Sequence, residues 1–207
     1  MQEDVLQGVR YNVVLKIQDM ICGGIPKSPD LIKAWIEAKD LPEEAASKIV
    51  AERLLEAGDV DLVEEAKTKA WTGFDSDDQG LYILNNHIKA MFKESANVLG
   101  ITTNTRGAKN YISNGLFIEP RKIYLGVTEP TGFKEAVCHI SGPLGKRTAI
   151  KRFDYIEKPE IKFVVLRVAR VDKKDPISEE TLRLLLEHGQ HSGLGTNRSQ
   201  GYGTYDL

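Results

Sequence analysis

The stretch from Gly193 to Gly203, GLGTNRSQGYG, combines residue types that suit the binding of a phosphate backbone. Its four glycines permit positive φ angles and let another chain come close. Successive backbone N–H groups in such a loop can form an anion-binding nest. Arg198 offers a forked charge for a phosphate, and Tyr202 offers a flat surface for a base. The alternative, a flexible glycine-rich tail, does not explain the capped helix that precedes the stretch.

Two other basic segments are candidates for contacts with nucleic acid. The residues are Lys146, Arg147, Lys151 and Arg152 in GKRTAIKRF, and Arg106 and Lys109 in the polar segment after residue 100. In a β-hairpin, alternation would divide the first cluster equally between two faces. For both segments the alternative is a solvated charged surface. The stretch GPLGKRT, at 142–148, lacks the first glycine and the final Ser or Thr of a P-loop. We therefore do not predict a site for a nucleoside triphosphate.

Charge is unevenly distributed along the 207 residues. The net charge is -2, but residues 37–78 hold 13 acids and 5 bases, which leaves 17 acids and 23 bases elsewhere, a net of +6. A basic surface on an overall acidic protein is therefore compatible with the composition. Because the apolar runs are far shorter than the roughly 20 residues of a membrane-spanning helix, we predict a soluble, cytoplasmic protein with no membrane contact.

Strand and helix patterns alternate in the first half of the chain. Residues 9–19 are rich in β-branched side chains and predict an early core strand. Residues 31–71 carry helical periodicity broken by Pro42 and Gly58, which predicts an acidic helical insertion. Residues 81–99 predict a short strand followed by a helix with Ile88, Met91, Phe92 and Ala96 on one stripe. The polar segment 101–115 predicts a mobile loop.

The second half of the chain predicts extended segments followed by one helix and a final strand. Residues 116–158 predict strands that include a projecting hairpin, and residues 161–171 predict a central strand. Ser178 is a helix N-cap, and Gly189 is the predicted stop of that helix. The buried stripe of the helix is Leu182, Leu185 and Leu186. This order predicts an α+β fold, a ferredoxin-like (RRM-like) βαββαβ core within a single elaborated domain spanning 1–207.

The glycine-rich stretch also resembles a known signature. GLGTNRSQGYG is similar to G-h-G-x-x-R-S-x-G-[FY]-G of the RAMP superfamily, the repeat-associated RNA-binding subunits of CRISPR effector complexes. In that family the signature lies between the last helix and the last strand of a ferredoxin-like unit, as predicted here. The binding residues that the resemblance implies are Gly193, Gly195, Asn197, Arg198, Ser199, Gly201, Tyr202 and Gly203.

The resemblance implies a function as well as a fold. It implies a non-catalytic protein that binds single-stranded guide RNA along its backbone and assembles with copies of itself or with other CRISPR effector subunits. No counterpart of the insertion at 31–71 is recognised in the family. We predict no cofactor and no metal, because the histidines and cysteines have no metal-ligand spacing.

Two other functions remain open. The first is a guide-RNA-processing endoribonuclease, in which His87 would act as general acid or base. Asp19 and Asp30 are further catalytic candidates, because some RAMP backbone subunits cleave RNA with an acidic residue in an early loop. The second is a phage-encoded RAMP-like protein that mimics or inhibits an effector complex, or that binds single-stranded DNA.

Overall fold

A computed structural model of the chain describes residues 8–27, 70–101, 106–142, 145–168 and 177–207. Among them, side chains are described except at 70, 106–109, 138–142 and 145–149. Asp30 and most of the predicted insertion at 31–71 lie outside the described residues. The last two residues of that span, Ala70 and Trp71, begin a strand instead of ending a helix.

The described residues form a mixed α+β structure with several sheets and three α-helices. The strands are β1 (Gly8–Ile17), β2 (Met20–Cys22), β3 (Ile25–Pro26), β4 (Ala70–Gly73), β5 (Asp75–Asp77), β6 (Gly80–Leu84), β7 (Leu116–Glu119), β8 (Lys122–Tyr124), β9 (Gly132–Gly142), β10 (Gly145–Glu157), β11 (Glu160–Val168) and β12 (Tyr205–Asp206). The helices are α1 (Asn85–Val98), α2 (Arg106–Asn114), α3 (Glu179–Ser192) and a 3-10 turn, Arg198–Gln200. No helix in these described ranges is long and apolar enough to cross a membrane.

The chain divides into two compact units. The first unit contains Met1–Ile21, Ser76–Glu129 and Glu157–Leu207, and the second contains Cys22–Asp75 and Pro130–Ile156. The glycine-rich stretch and all three described helices belong to the first unit. The β9 and β10 hairpin lies in the second, apart from the last residue of β10.

The main sheet of the first unit has the strand order β12-β1-β11-β7, and every neighbouring pair is antiparallel. β1 and β11 pair from Gly8 opposite Val168 to Lys16 opposite Glu160. Alternate residues of the two strands are buried, as a half-buried sheet requires. They are Val13, Leu15 and Ile17 of β1 and Ile161, Phe163 and Val165 of β11. The predictions of an early core strand and a central strand are confirmed.

Helix α1 has the predicted apolar stripe. It follows β6 directly, and its side chains Ile88, Met91, Phe92 and Ala96 are all buried. The spacing of three to four residues keeps these side chains on one face of the helix. His87 and Glu94 lie beside that stripe and are more exposed, so α1 presents polar groups at the margin of its packed face.

The prediction of a mobile loop at 101–115 is wrong for residues 106–114, which form α2. Tyr111 and Ile112 of this helix are buried, and the Tyr111 hydroxyl donates a hydrogen bond to the Val168 carbonyl. The Lys89 ammonium of α1 donates to the Ser113 carbonyl at 3.0 Å. A helix this short is marginal by itself, so these tertiary contacts supply stability that the polar sequence does not indicate.

Helix α3 begins where the sequence predicts and ends later. The Ser178 hydroxyl accepts a hydrogen bond from the Thr181 amide at 3.1 Å, which is the expected N-cap. Gly189, the predicted stop, is a buried residue within the helix, and the C-cap is Gly193. The reason is packing: a Cβ at Gly189 would overlap the Tyr205 hydroxyl and lie 2.9 Å from the Met91 sulfur.

The second unit contains the predicted hairpin. β9 and β10 pair antiparallel from Gly132 opposite Tyr155 to Gly142 opposite Gly145. β10 also pairs in parallel with β4, and β4 pairs with β3. Phe153 of β10 is buried, which anchors this sheet.

We predict that Gly189→Ala destabilises the fold although alanine is the better helix former. The propensity gain is about 1 kcal/mol, whereas overpacking a close-packed contact costs about 1–3 kcal/mol. Urea denaturation measures the resulting change in the free energy of unfolding. Tyr205→Phe removes the overlapping hydroxyl, so the double variant should lose less stability than the sum of the two single losses. Strict additivity would show that the contact does not limit this site.

Candidate nucleic-acid interface

The glycine-rich stretch is an anchored loop that connects α3 to β12. Gly193 caps α3 with a φ of +76°. The Leu194 amide donates to the Gly203 carbonyl at 2.9 Å, and the Gly203 amide donates to the Met20 carbonyl at 2.8 Å. Leu194 is buried. The two ends of the stretch are therefore held together, and the interpretation as a flexible tail is wrong.

The glycines of the loop have different roles. A Cβ at Gly203 would overlap the Leu194 carbonyl oxygen, and a Cβ at Gly193 would lie 2.6 Å from the Tyr202 carbonyl oxygen. These two glycines let the loop pack on itself. Gly201 also has a positive φ, +85°, but no heavy atom lies within 4 Å of its Cβ position. Its outer side is open to another molecule.

Several loop amides are already used within the protein. The amides of Gly193, Leu194, Gln200, Gly201 and Gly203 donate to backbone carbonyls at 2.8 to 3.0 Å. They are not available for the predicted anion nest. A phosphate at this loop must therefore depend more on side chains than the glycine pattern alone indicates.

Arg198 is the charged group of the loop and begins its 3-10 turn. Asn197 before it adopts the left-handed conformation, with a φ of +56°, and directs the chain into the turn. The Arg198 Nη1 donates to the Glu94 Oε2 of α1 at 2.7 Å. The two side chains are 33% and 46% exposed, so solvent and ions can reach the ion pair.

Two cavities lie beside the ion pair. The smaller, of about 160 Å³, is lined by His87 and Met91 of α1 and by Leu194. The larger and more open one, of about 670 Å³, is lined by His191 and Asn197 among others. Both are also lined by Glu94, Gly195 and Arg198. Of the other predicted loop residues, Ser199 is exposed and lines the larger cavity, and Tyr202 is half-buried.

The structure brings His87 to the glycine-rich loop, which the sequence analysis did not predict. His87, Met91 and Glu94 are spaced by four and three residues, so they share one face of α1. That spacing was the available signal for Glu94, which the sequence analysis missed. Asp19 is exposed in the turn after β1, where its carbonyl accepts a hydrogen bond from the Lys158 amide at 2.8 Å.

The other predicted basic residues lie elsewhere in the chain. In the second unit the Arg152 guanidinium lies 3.8 Å from the Phe133 ring centroid and 4.7 Å from that of Trp71. Trp71 Nε1 donates to Asp154 at 2.9 Å, and burial raises the pKa of that carboxyl. Lys151 is half-buried. The backbone at Lys146 and Arg147 is in β10 and that at Arg106 and Lys109 is in α2, but their side chains lie outside the description.

Within the described ranges, no group of three or more His, Cys, Asp or Glu side chains could hold a metal ion. The side chains that line the two loop cavities supply one guanidinium, one carboxylate, two imidazoles and neutral donors. A guanidinium with neutral donors suits an anion, and apolar walls such as Met91 and Leu194 suit a ring.

Comparisons with known proteins give a distant structural likeness. No family model and no curated protein sequence matches the chain. Among solved structures, the chain is similar to a chain of "Cryo-EM structure of the Type III-B Cmr-beta bound to cognate target RNA", with a TM-score of 0.43 and 11% identity. The match covers 95% of this chain and 58% of the other, so this chain spans little more than half the length of that protein.

We predict that Gly203→Ala destabilises the protein much more than Gly201→Ala. Both positions have positive φ, which costs a non-glycine residue about 1–2 kcal/mol. Only at Gly203 would the added Cβ also overlap a backbone carbonyl, which costs about 1–3 kcal/mol more. Chemical denaturation of the two variants measures the difference, and equal losses would contradict the self-packed loop.

Proposed function

We propose that this chain is a non-catalytic, RAMP-type subunit that binds single-stranded guide RNA in a CRISPR ribonucleoprotein. The observation that carries the proposal is the glycine-rich loop itself. The complete signature forms an anchored loop that presents Arg198 at an open cavity. Asn197 and Ser199 line the same cavity, so neutral donors lie next to the guanidinium.

We assign the first unit to the ferredoxin-like class. Its elements would be β1, α1 with α2, β7, β11, α3 and β12, in chain order. Both β1 and β7 are antiparallel to β11 and lie on its two sides, so they are parallel to each other with one strand between them. That arrangement supports the assignment, because it matches the strand order of a split βαβ unit. β11, α3 and β12 repeat it around β1.

The binding chemistry follows from the groups at the loop. The guanidinium would contact phosphate oxygens, which gives affinity without base information. The half-buried Tyr202 and the apolar wall of the smaller cavity would contact a base or ribose, which requires an unpaired strand. Lys146, Arg147, Lys151 and Arg152 of the hairpin are proposed as further contacts, and other effector subunits or copies of this chain as protein partners.

The first test is the binding of single-stranded RNA by wild type and Arg198→Ala, followed by fluorescence anisotropy at several salt concentrations. Loss of one charged hydrogen bond should weaken binding about tenfold for every sequence. The slope of log K against log salt should become shallower by about 0.7, the value of one phosphate contact on a single strand.

Arg183→Ala is the matched control, because Arg183 lies on α3 and pairs with Glu187 in an exposed ion pair. It removes the same charge without altering the loop. Equal effects of the two substitutions would contradict a phosphate site at Arg198. Equal affinity of wild type for duplex and single-stranded RNA would contradict the single-strand proposal, and equal affinity for single-stranded DNA would remove its RNA specificity.

A second candidate function, metal-independent RNA cleavage, is favoured by the position of His87 in the cavity beside Arg198. There the imidazole could remove the proton of a ribose 2′-hydroxyl, whose oxygen would attack the adjacent phosphorus. The bond between phosphorus and the 5′ oxygen would break, and the imidazolium or a water would protonate the leaving oxygen. The products would be a 2′,3′-cyclic phosphate and a 5′-hydroxyl end.

We predict that labelled repeat RNA stays intact when it is incubated with wild type and a chelator. Gel electrophoresis decides the outcome. Specific cuts that His87→Ala abolishes and His191→Ala preserves would replace the non-catalytic proposal with the endoribonuclease, because His191 lines only the larger of the two cavities.

A further inference from the structure

The ion pair of Arg198 and Glu94 lies where the two loop cavities meet. Glu94, Gly195 and Arg198 line both spaces, so they form part of the boundary between them. One space continues along His87 and Met91, and the other along Asn197 and Ser199. Rotation of either charged side chain away from its partner would remove part of that boundary.

In the ion pair, Glu94 holds the Arg198 guanidinium, which is the positive charge that a bound phosphate would need. Glu94 is the only acidic residue of α1, and its carboxylate lies 2.7 Å from Arg198 Nη1. Exposed ion pairs contribute little net stability because both partners are well solvated. A phosphate can offer two oxygens to the guanidinium in place of the carboxylate. Replacement of the Glu94 carboxylate by a phosphate therefore costs little free energy.

The shape of the two cavities suits an extended strand. The smaller space, about 160 Å³, is below the usual range of about 300–1,000 Å³ for a small-molecule pocket. The larger, about 670 Å³, falls within that range but is open to solvent, as a groove for a strand would be. Asn197 Nδ2 is buried and has no hydrogen-bond partner within the part of the chain that the structure describes, and its residue lines the larger space. An oxygen of a bound strand would satisfy this donor.

We infer that Glu94 is a built-in competitor of nucleic-acid phosphate. In the free protein its carboxylate holds Arg198, and binding of a single strand replaces that carboxylate with a phosphate. The displacement joins the two cavities into one groove along the loop. The inference rests on the proposed RNA binding and adds the residue that limits its affinity.

The test compares Glu94→Gln with wild type in binding to a labelled single-stranded RNA by fluorescence anisotropy. Glutamine keeps the size of the side chain but cannot hold Arg198 as an ion pair. Release of an exposed ion pair predicts about twofold to fivefold tighter binding. Glu187→Gln is the control, because Glu187 also forms an exposed ion pair, with Arg183, and its side chain is equally exposed at 46%.

The same comparison in an Arg198→Ala background distinguishes competition for Arg198 from general electrostatic repulsion between Glu94 and RNA. If Glu94 acts through Arg198, Glu94→Gln should give no gain when Arg198 is absent. A gain that persists there, or an equal gain from Glu187→Gln, would overturn the inference while leaving RNA binding in place. Binding by Glu94→Gln but not by wild type would support it strongly. No binding by either protein at low salt would overturn both the inference and the proposed function.

Discussion

The packing of Tyr205 against Gly189 fixes the geometry on which the candidate site depends. The Tyr205 hydroxyl donates to the Leu186 carbonyl at 2.9 Å, and the ring is fully buried beside Gly189. Burial raises the pKa of this phenol, so it stays a hydrogen-bond donor. Because Tyr205 belongs to β12 and Gly189 to α3, the contact sets the distance between the two elements that flank the glycine-rich loop. The Leu194 to Gly203 hydrogen bond then closes the loop over a fixed span.

This arrangement explains how a loop with four glycines can be well defined. Gly193 and Gly203 permit close backbone contacts, and these contacts use amides that would otherwise face solvent. The open side of the loop is left with Gly201 and the polar side chains around Arg198. The self-packed part of the loop thus supports the part that we propose binds RNA, and the charge of Arg198 in that part is balanced by Glu94 of α1.

Features governed by local chemistry could be predicted from the sequence. The N-cap at Ser178 and the stripe of Ile88, Met91 and Phe92 depend on residues three or four positions apart. Features governed by distant contacts could not. Helix α2 depends on packing of Tyr111 and Ile112. Gly189 was misinterpreted because glycine can mark either a helix end or a close contact, and only the position of Tyr205, 16 residues later, distinguishes the two. The pairing of Arg198 with Glu94 joins residues 104 positions apart.

Hydrogen exchange of the backbone amides, with and without single-stranded RNA, tests the central claim most directly, since it reports where the strand lies. Binding at the glycine-rich loop predicts added protection in peptides covering 193–203 and the His87 to Glu94 face of α1, with none from duplex RNA. Protection confined to the β9 and β10 hairpin, with the loop peptides unchanged, would contradict the account.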